Sequence, residues 1–281
     1  MRHLNANLGG AFWNPEGVGY LSYPFEFTSV FAVAARRAGL GDLVQEVPGY
    51  RDTGLVPYLA SAPIPTRDRQ RGICVDLSDD NPGQCFNGGA GAVFGVLAGD
   101  DRRLAALRWC YDRWEGALGS GHYDAGRGGV LYSLLWYPET IEPLDPSAVF
   151  GRALVDRIHG IGLCRNAWDG EHDCVVALNA CSRRPHGGHA GPDTNALRII
   201  GLGAVFVVGG GRTGRTAGQS NLFPGEPPPR GDRGRGVLEF ARTEINGSAT
   251  AAAAWECART GAAARLITGI PSHSRGDQRR E

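Results

Sequence analysis

Apolar positions along the chain change their spacing near the middle. Up to about Pro146 they group into helical stretches separated by long Gly/Pro-rich loops. Phe25 to Ala38 (FEFTSVFAVAARRA) predicts an apolar helix stopped by Gly39 and Gly41. Gly89 to Gly99 is small and apolar, as in a tightly packed inner helix. Asp101 to Leu118 is amphipathic, with Leu104, Leu107, Trp109, Cys110 and Trp114 mostly on one side and Arg and Asp on the other. Val130 to Trp136 predicts a shorter helix ended by Pro138. After about Gly160 the runs shorten. Cys174–Ala180, Ala196–Ile200 and Val205–Val208 are rich in Val, Ile or Leu and bounded by turn residues, which predicts strands. Val237–Ile245 predicts another strand, and Ala249–Ala264 suits either a helix or a strand. The stretch from Arg212 reads as a long Gly/Pro/Arg-rich surface loop, and Ser272 to Glu281 as a disordered end. Helices followed by strands predict an α+β chain of two domains, with a boundary near 145–160.

Composition narrows the function classes. The 281 residues carry 29 basic and 29 acidic side chains, so no global field recruits nucleic acid or an anionic membrane. All 29 basic residues other than His are Arg, so no Lys is available as a Schiff-base former or general base. The seven Cys contain no CxxC pair, which argues against a thiolate zinc site and for buried thiols. No apolar run approaches the ~20 residues needed to span a bilayer, and Met1 to Asn5 lacks the apolar core of a signal peptide.

Two segments carry candidate chemistry. The first is Trp13 to Tyr23, in which Glu16, Tyr20 and Tyr23 cluster at a turn-to-helix junction. Tyr20 and Tyr23 share a helix face if the helix has begun by then. A phenol there can donate or accept a proton, given a cationic neighbour to lower its ordinary value near 10. The second is Arg183 to Leu197, which places His186, His189, Asp193 and Asn195 in a Gly/Pro-rich loop between two predicted strands. The bland alternatives are core aromatics at a helix start and a solvated loop with incidental His.

Taken together, these segments resemble the heparinase II/III-like polysaccharide lyases. The His in a Gly-rich turn, Pro192-Asp193-Thr194-Asn195, the strand after it and Ala204-Val205-Phe206-Val207-Val208 before glycines are similar to one family pattern. Cys164-Arg165-Asn166-Ala167-Trp168 looks like the strand before it. Glu16-Gly17, Tyr20 and Tyr23 resemble the family's catalytic-Tyr helix, and Leu134 to Pro138 its exit from the toroid. The resemblance implies a partial α/α toroid over 1–150 and an antiparallel β-sandwich over 151–281. It implies β-elimination on a uronic-acid polysaccharide, with Tyr20 and His189 as the catalytic pair. Tyr23, Glu16, Arg165 and Asn195 would contact substrate or support the site. It also implies an acidic polysaccharide partner, export to the periplasm or beyond, and a chain that is part of a longer architecture or a truncated homologue.

Departures from the pattern bear on metal. The family's second loop His falls on Gly191, its later Asp falls on Gly209, and no His lies near Ser248. The expectation is therefore no bound zinc and no cofactor. Three rival readings remain. Gly209 to Thr216 imitates a phosphate-binding loop with Arg215 in place of Lys, but no helix follows. His186, His189 and Asp193 suggest metal-dependent hydrolysis, without the helical spacing or the Glu base. The third is a non-catalytic carbohydrate-binding or structural remnant of the lyase fold.

Overall fold

The computed structural model describes residues 13–14, 16–47, 50–65, 70–78, 80, 90–113, 129–168, 172–180, 196–207, 209, 220, 235–243, 249–256 and 263–270. Its first half is mainly helical. Helix α1 spans Val18–Arg37, α2 Val56–Leu59, α3 Ala90–Val96, α4 Asp101–Tyr111 and α5 Gly129–Trp136. The α1 helix begins seven residues before the predicted Phe25. The turn-to-helix junction expected around Glu16 to Tyr23 is the helix start itself, and Pro24 falls inside α1, where it lacks an amide to donate. The helices predicted over Gly89–Gly99 and Val130–Trp136 appear as α3 and α5, while α4 runs from the predicted Asp101 to Tyr111 and residues 114–118 of that prediction lie outside the described residues. Helix α4 starts at Asp100, whose side chain accepts the Arg103 amide, and it buries Leu104, Ala105, Ala106, Leu107 and Cys110.

Among the described residues the strands form three antiparallel sheets. A hairpin of β1 (Ser61–Pro65) and β2 (Gln70–Cys74) lies within the helical half, where the apolar pattern predicts no strands. The main sheet runs in sequence order through β3 (Ala153–Asp156), β4 (Ile161–Arg165), β5 (Cys174–Asn179), β6 (Ala196–Gly201) and β7 (Ala204–Val207). The last sheet holds β8 (Arg235–Thr243), β9 (Ala249–Glu256) and β10 (Ala263–Ile270). Of the Ala-rich Ala249–Ala264 stretch, ambiguous by pattern, residues 249–256 form β9 and residues 263–264 begin β10. Helices with antiparallel sheets make this an α+β protein.

Alternation along the main sheet divides its two faces. Leu154, Ile161, Leu163, Val175, Ala177, Ala196 and Ile200 join the core formed with Trp13, Leu21, Phe94 and Leu107 of the helical half. Cys164 and Val176 form a second cluster with Ala153, Leu197 and Ile199 on the other face. Strands β8 and β9 approach the sheet at β3, β4 and β5. Strands β4 and β5 are thus covered on both faces, β4 along its whole length, whereas edge strand β7 leaves Val205 and Phe206 exposed. No described helix is long and apolar enough to cross a membrane.

Candidate functional site

The start of α1 is built from its own turn and from a distant carboxylate. Asn14 shapes the turn, its carbonyl accepting Gly17 N at 3.0 Å and its Oδ1 accepting Glu16 N at 3.0 Å. No local side chain caps the helix. Instead Asp80, only 2% exposed, accepts Val18 N at 2.6 Å and Gly19 N at 2.8 Å. A helix N-terminus presents unsatisfied amides and partial positive charge, so a buried carboxylate there meets both needs. Tyr20 follows in the first turn, half-buried, with Glu16 half-buried just ahead of it. Tyr23 lies one turn on by its backbone position.

The residues that carry Asp80 also reach the main sheet. Leu77 N donates to Val75 O at 3.2 Å and Asp80 N to Leu77 O at 3.3 Å, folding Val75–Asp80 into a compact turn. Within it Asp76 meets Arg198 of β6, which has no exposed surface. Arg198 Nε donates to the Asp76 carbonyl at 2.9 Å and lies 3.2 Å from Asp76 Oδ1. That same Oδ1 accepts Gly209 N at 2.9 Å. A Cβ on Gly209 would lie 2.6 Å from Asp76 Oδ2 and 2.7 Å from Arg198 Nη2, so a side chain there would crowd both charged groups.

His186, His189, Asp193 and Asn195 fall at 181–195, outside the described residues. The strands flanking that loop are described. Asn179 at the end of β5 pairs with Ala196 at the start of β6. The row continues to Ile161 and Asp156, so the β3–β4 turn shares this end of the sheet. In that turn Asp156 accepts the amides of Ile158 and His159 at 2.9 and 3.0 Å, and its Oδ2 lies 2.6 Å from His159 Nδ1. Asp156, His159 and Asn179 are all buried, so the loop end of the sheet carries a polar row next to the apolar core.

Arg165 sits at the opposite end of β4, with no exposed surface. Its Nε donates to Ala167 O at 2.6 Å and its Nη1 to Tyr58 O at 2.8 Å and Ser61 O at 3.4 Å. Nη2 pairs with the buried Asp173 carboxylate, and the guanidinium stacks 3.7 Å from the Trp168 ring centroid. These contacts join β4 to α2 and β1 in the helical half. Charge, hydrogen bonds and cation–π contact are all met inside the protein.

Asp76, Asp80, Arg198 and the Asp156–His159 pair are site-framing residues that the sequence reading missed. Asp76 and Asp80 lie in Val75-Asp76-Leu77-Ser78-Asp79-Asp80-Asn81-Pro82-Gly83, whose polarity resembles an exposed turn. Their partners lie 61 to 133 residues away, beyond any local pattern. Among the described residues no group of three or more His, Cys, Asp or Glu is arranged to hold a metal.

No protein-family model matches this chain, and no curated protein matches it. Solved structures do. The fold is similar to a crystal structure of a heparan sulfate lyase mutant from Pedobacter heparinus, with a TM-score of 0.53 at 13% identity over 94% of this chain and 38% of that one. A heparinase III structure aligns at a TM-score of 0.46 and 12% identity, over 90% of this chain and 36% of that one. The chain spans well under half the length of either. At such identity the likeness is one of fold, a distant relationship.

Proposed function

We propose that this lyase-like chain acts on a uronic-acid-containing polysaccharide by β-elimination, with Tyr20 and His189 as the acid/base pair. One of them removes the C5 proton α to the uronate carboxylate. The electron pair passes into the enolate-like carboxylate and then forms the C4–C5 double bond as the C4–O bond breaks. The other protonates the departing sugar oxygen, so the products are an unsaturated uronate end and a free hydroxyl. Hydrogen-bond donors at the carboxylate lower the energy of the charged intermediate. Asn195, Tyr23 and Glu16 are the groups assigned to substrate. Arg165 is assigned instead to positioning, because its guanidinium is buried among protein acceptors.

The observation that carries this reading is the Val75–Asp80 turn. It binds the start of the Tyr20 helix through Asp80 and, through Asp76, the strand that leads out of the His189 loop. The reading requires the Tyr20 phenol and the His189 imidazole to meet across a groove between the helical part, 1–150, and the sheet part, 151–281. An acidic polysaccharide as partner and a location outside the cytoplasm follow from the same reading.

The test is ultraviolet absorbance on mixing the chain with alginate, heparin, heparan sulfate or hyaluronan. Elimination creates an absorbing unsaturated uronate, whereas hydrolysis or binding alone does not. Tyr20→Phe and His189→Ala should each lower the rate about 10²- to 10⁴-fold, the usual weight of general acid–base catalysis. An unchanged signal in both variants would remove the assignment. The burial of Arg165, which takes an expected substrate contact out of reach, favours a second reading, a non-catalytic carbohydrate-binding form of the fold. Saturable binding with no absorbance change on any of the four glycans would select it.

A further inference from the structure

We infer that Asp76 and Arg198 are a positioning pair that fixes the start of the Tyr20 helix relative to the strand leaving the His189 loop. The inference rests on the catalytic reading above and extends it to two residues that touch no substrate. Val18 and Asp80 are 62 residues apart in sequence, and Asp76 and Arg198 are 122 apart. The compact turn from Val75 to Asp80 is nonetheless all that separates the two contacts. A shift of Arg198 therefore passes to Asp76, then through a short hydrogen-bonded turn to Asp80, and so to the amides of Val18 and Gly19.

The chemistry of the pair suits alignment better than simple stabilisation. Burying two charges carries a desolvation penalty that apolar side chains of the same size would avoid. A guanidinium held by both a carbonyl and a carboxylate of one residue, however, admits a single register. Arg198 meets Asp76 through both acceptors, and Asp76 Oδ1 also holds the Gly209 amide. Three segments thereby converge on one carboxylate: the turn that caps α1, strand β6 and the residue just past β7. Gly209 is part of the fit, since a Cβ there would crowd both charged groups. Proton transfer demands such control, because a misplacement of ~1 Å costs on the order of 10²-fold in rate.

The test compares Arg198→Lys and Gly209→Ala with the unmodified full chain, by amide hydrogen exchange and by elimination kinetics on the most active of the four glycans. Lys keeps the charge and loses the planar fork, and Ala keeps both charges and crowds them. Exchange at Val18 and Gly19 should rise about tenfold or more in both variants, together with Gly209, while α4 keeps its protection. The kcat should fall about 10- to 100-fold with KM within about twofold. Faster exchange confined to β6 and Gly209, or an even rise across all helices, would overturn the inference by showing a local or merely structural role. Selective loosening of Val18 and Gly19 in a chain that eliminates none of the four glycans would instead sink the catalytic reading and leave the coupling standing.

Discussion

Gly17 and Asp80 occupy one another's space: an ideal Cβ on residue 17 would lie 2.6 Å from Asp80 Cγ and 2.7 Å from Oδ1. Gly17 also has φ +107°, a conformation that L side chains rarely adopt. The missing side chain lets a carboxylate from beyond β2 close on the first amides of α1. A local serine or asparagine cap would have fixed the helix start to its own turn. The remote cap fixes it to the segment that reaches the main sheet.

Gly17→Ala should therefore destabilise the chain by about 2–3 kcal/mol, through backbone strain and displacement of the cap. The denaturant midpoint should fall with little change in slope. A loss below about 0.5 kcal/mol, the size of a neutral surface change, would show that the contact relaxes freely.

Asp80→Ala should cost about 1–2 kcal/mol, the range for a lost helix cap. Because the carboxylate is also what a Gly17 side chain would strike, the double variant Gly17→Ala/Asp80→Ala should be less damaged than the sum of the two. A double-mutant cycle reads that coupling directly, and additive losses would contradict the shared space.

Asp100 gives a pH-dependent prediction. Burial alone would raise its carboxyl. Hydrogen bonds from the Arg103 side chain and amide, with the charges of Arg103 and Arg51, more than offset this and hold it below its ordinary value. A lowered folded-state value means that the charged form stabilises above the unfolded value near 3.9. That contribution fades as pH falls through the folded value. Asp100→Asn keeps the cap but loses the charge. It should be less stable than the unmodified chain at neutral pH and close to it in strong acid. A stability gap equal at both ends of the titration would assign the effect to shape instead.

Thiol chemistry should follow burial. Cys74, Cys110 and Cys164 are buried thiols. Burial pushes the Cys110 thiol well above its ordinary value and that of Cys164 up to about 11. Alkylation of the folded chain at mildly alkaline pH should leave these three unmodified while denaturant exposes them, since the thiolate is the nucleophile. Peptide mapping after timed iodoacetamide treatment is the measurement, and rapid labelling of Cys164 in the folded state would contradict it.

Asp173→Ala should destabilise by about 3–5 kcal/mol, because it strands the Arg165 charge in a site with no exposed surface. Exchanging Arg165 and Asp173 together for Met and Leu should recover part of that loss. Thermal unfolding of the single and double variants checks both. If the double exchange is the worse of the two, the charge pair itself holds the sheet to α2 and β1.

Several elements were legible before any coordinates. Helices α3, α4 and α5 follow from apolar spacing, and β5, β6, β7 and β8 from short β-branched runs between turn residues. Each signal is local, since a helix or strand of that kind declares its buried face within a few turns. The hairpin of β1 and β2 escaped this logic. Ser61–Pro65 contains two prolines, and Gln70–Cys74 has neither alternation nor a β-branched run. Strand β3 is too short to carry a period. The early start of α1 was hidden because its cap comes from residue 80.

Local chemistry in the sequence was enough to give an α+β chain and to nominate Tyr20 and the loop around His189 as candidates. Tertiary structure decided how the start of α1 and strand β6 are tied together. Arg165, expected to contact substrate or support the site, is sealed between Trp168 and Asp173. Asp76 and Asp80 give no signal in the sequence and are the link between α1 and β6. The reason is physical. A charge is recognisable from its neighbours in sequence, but whether it meets water or a buried counter-charge depends on chain segments dozens to more than a hundred residues away.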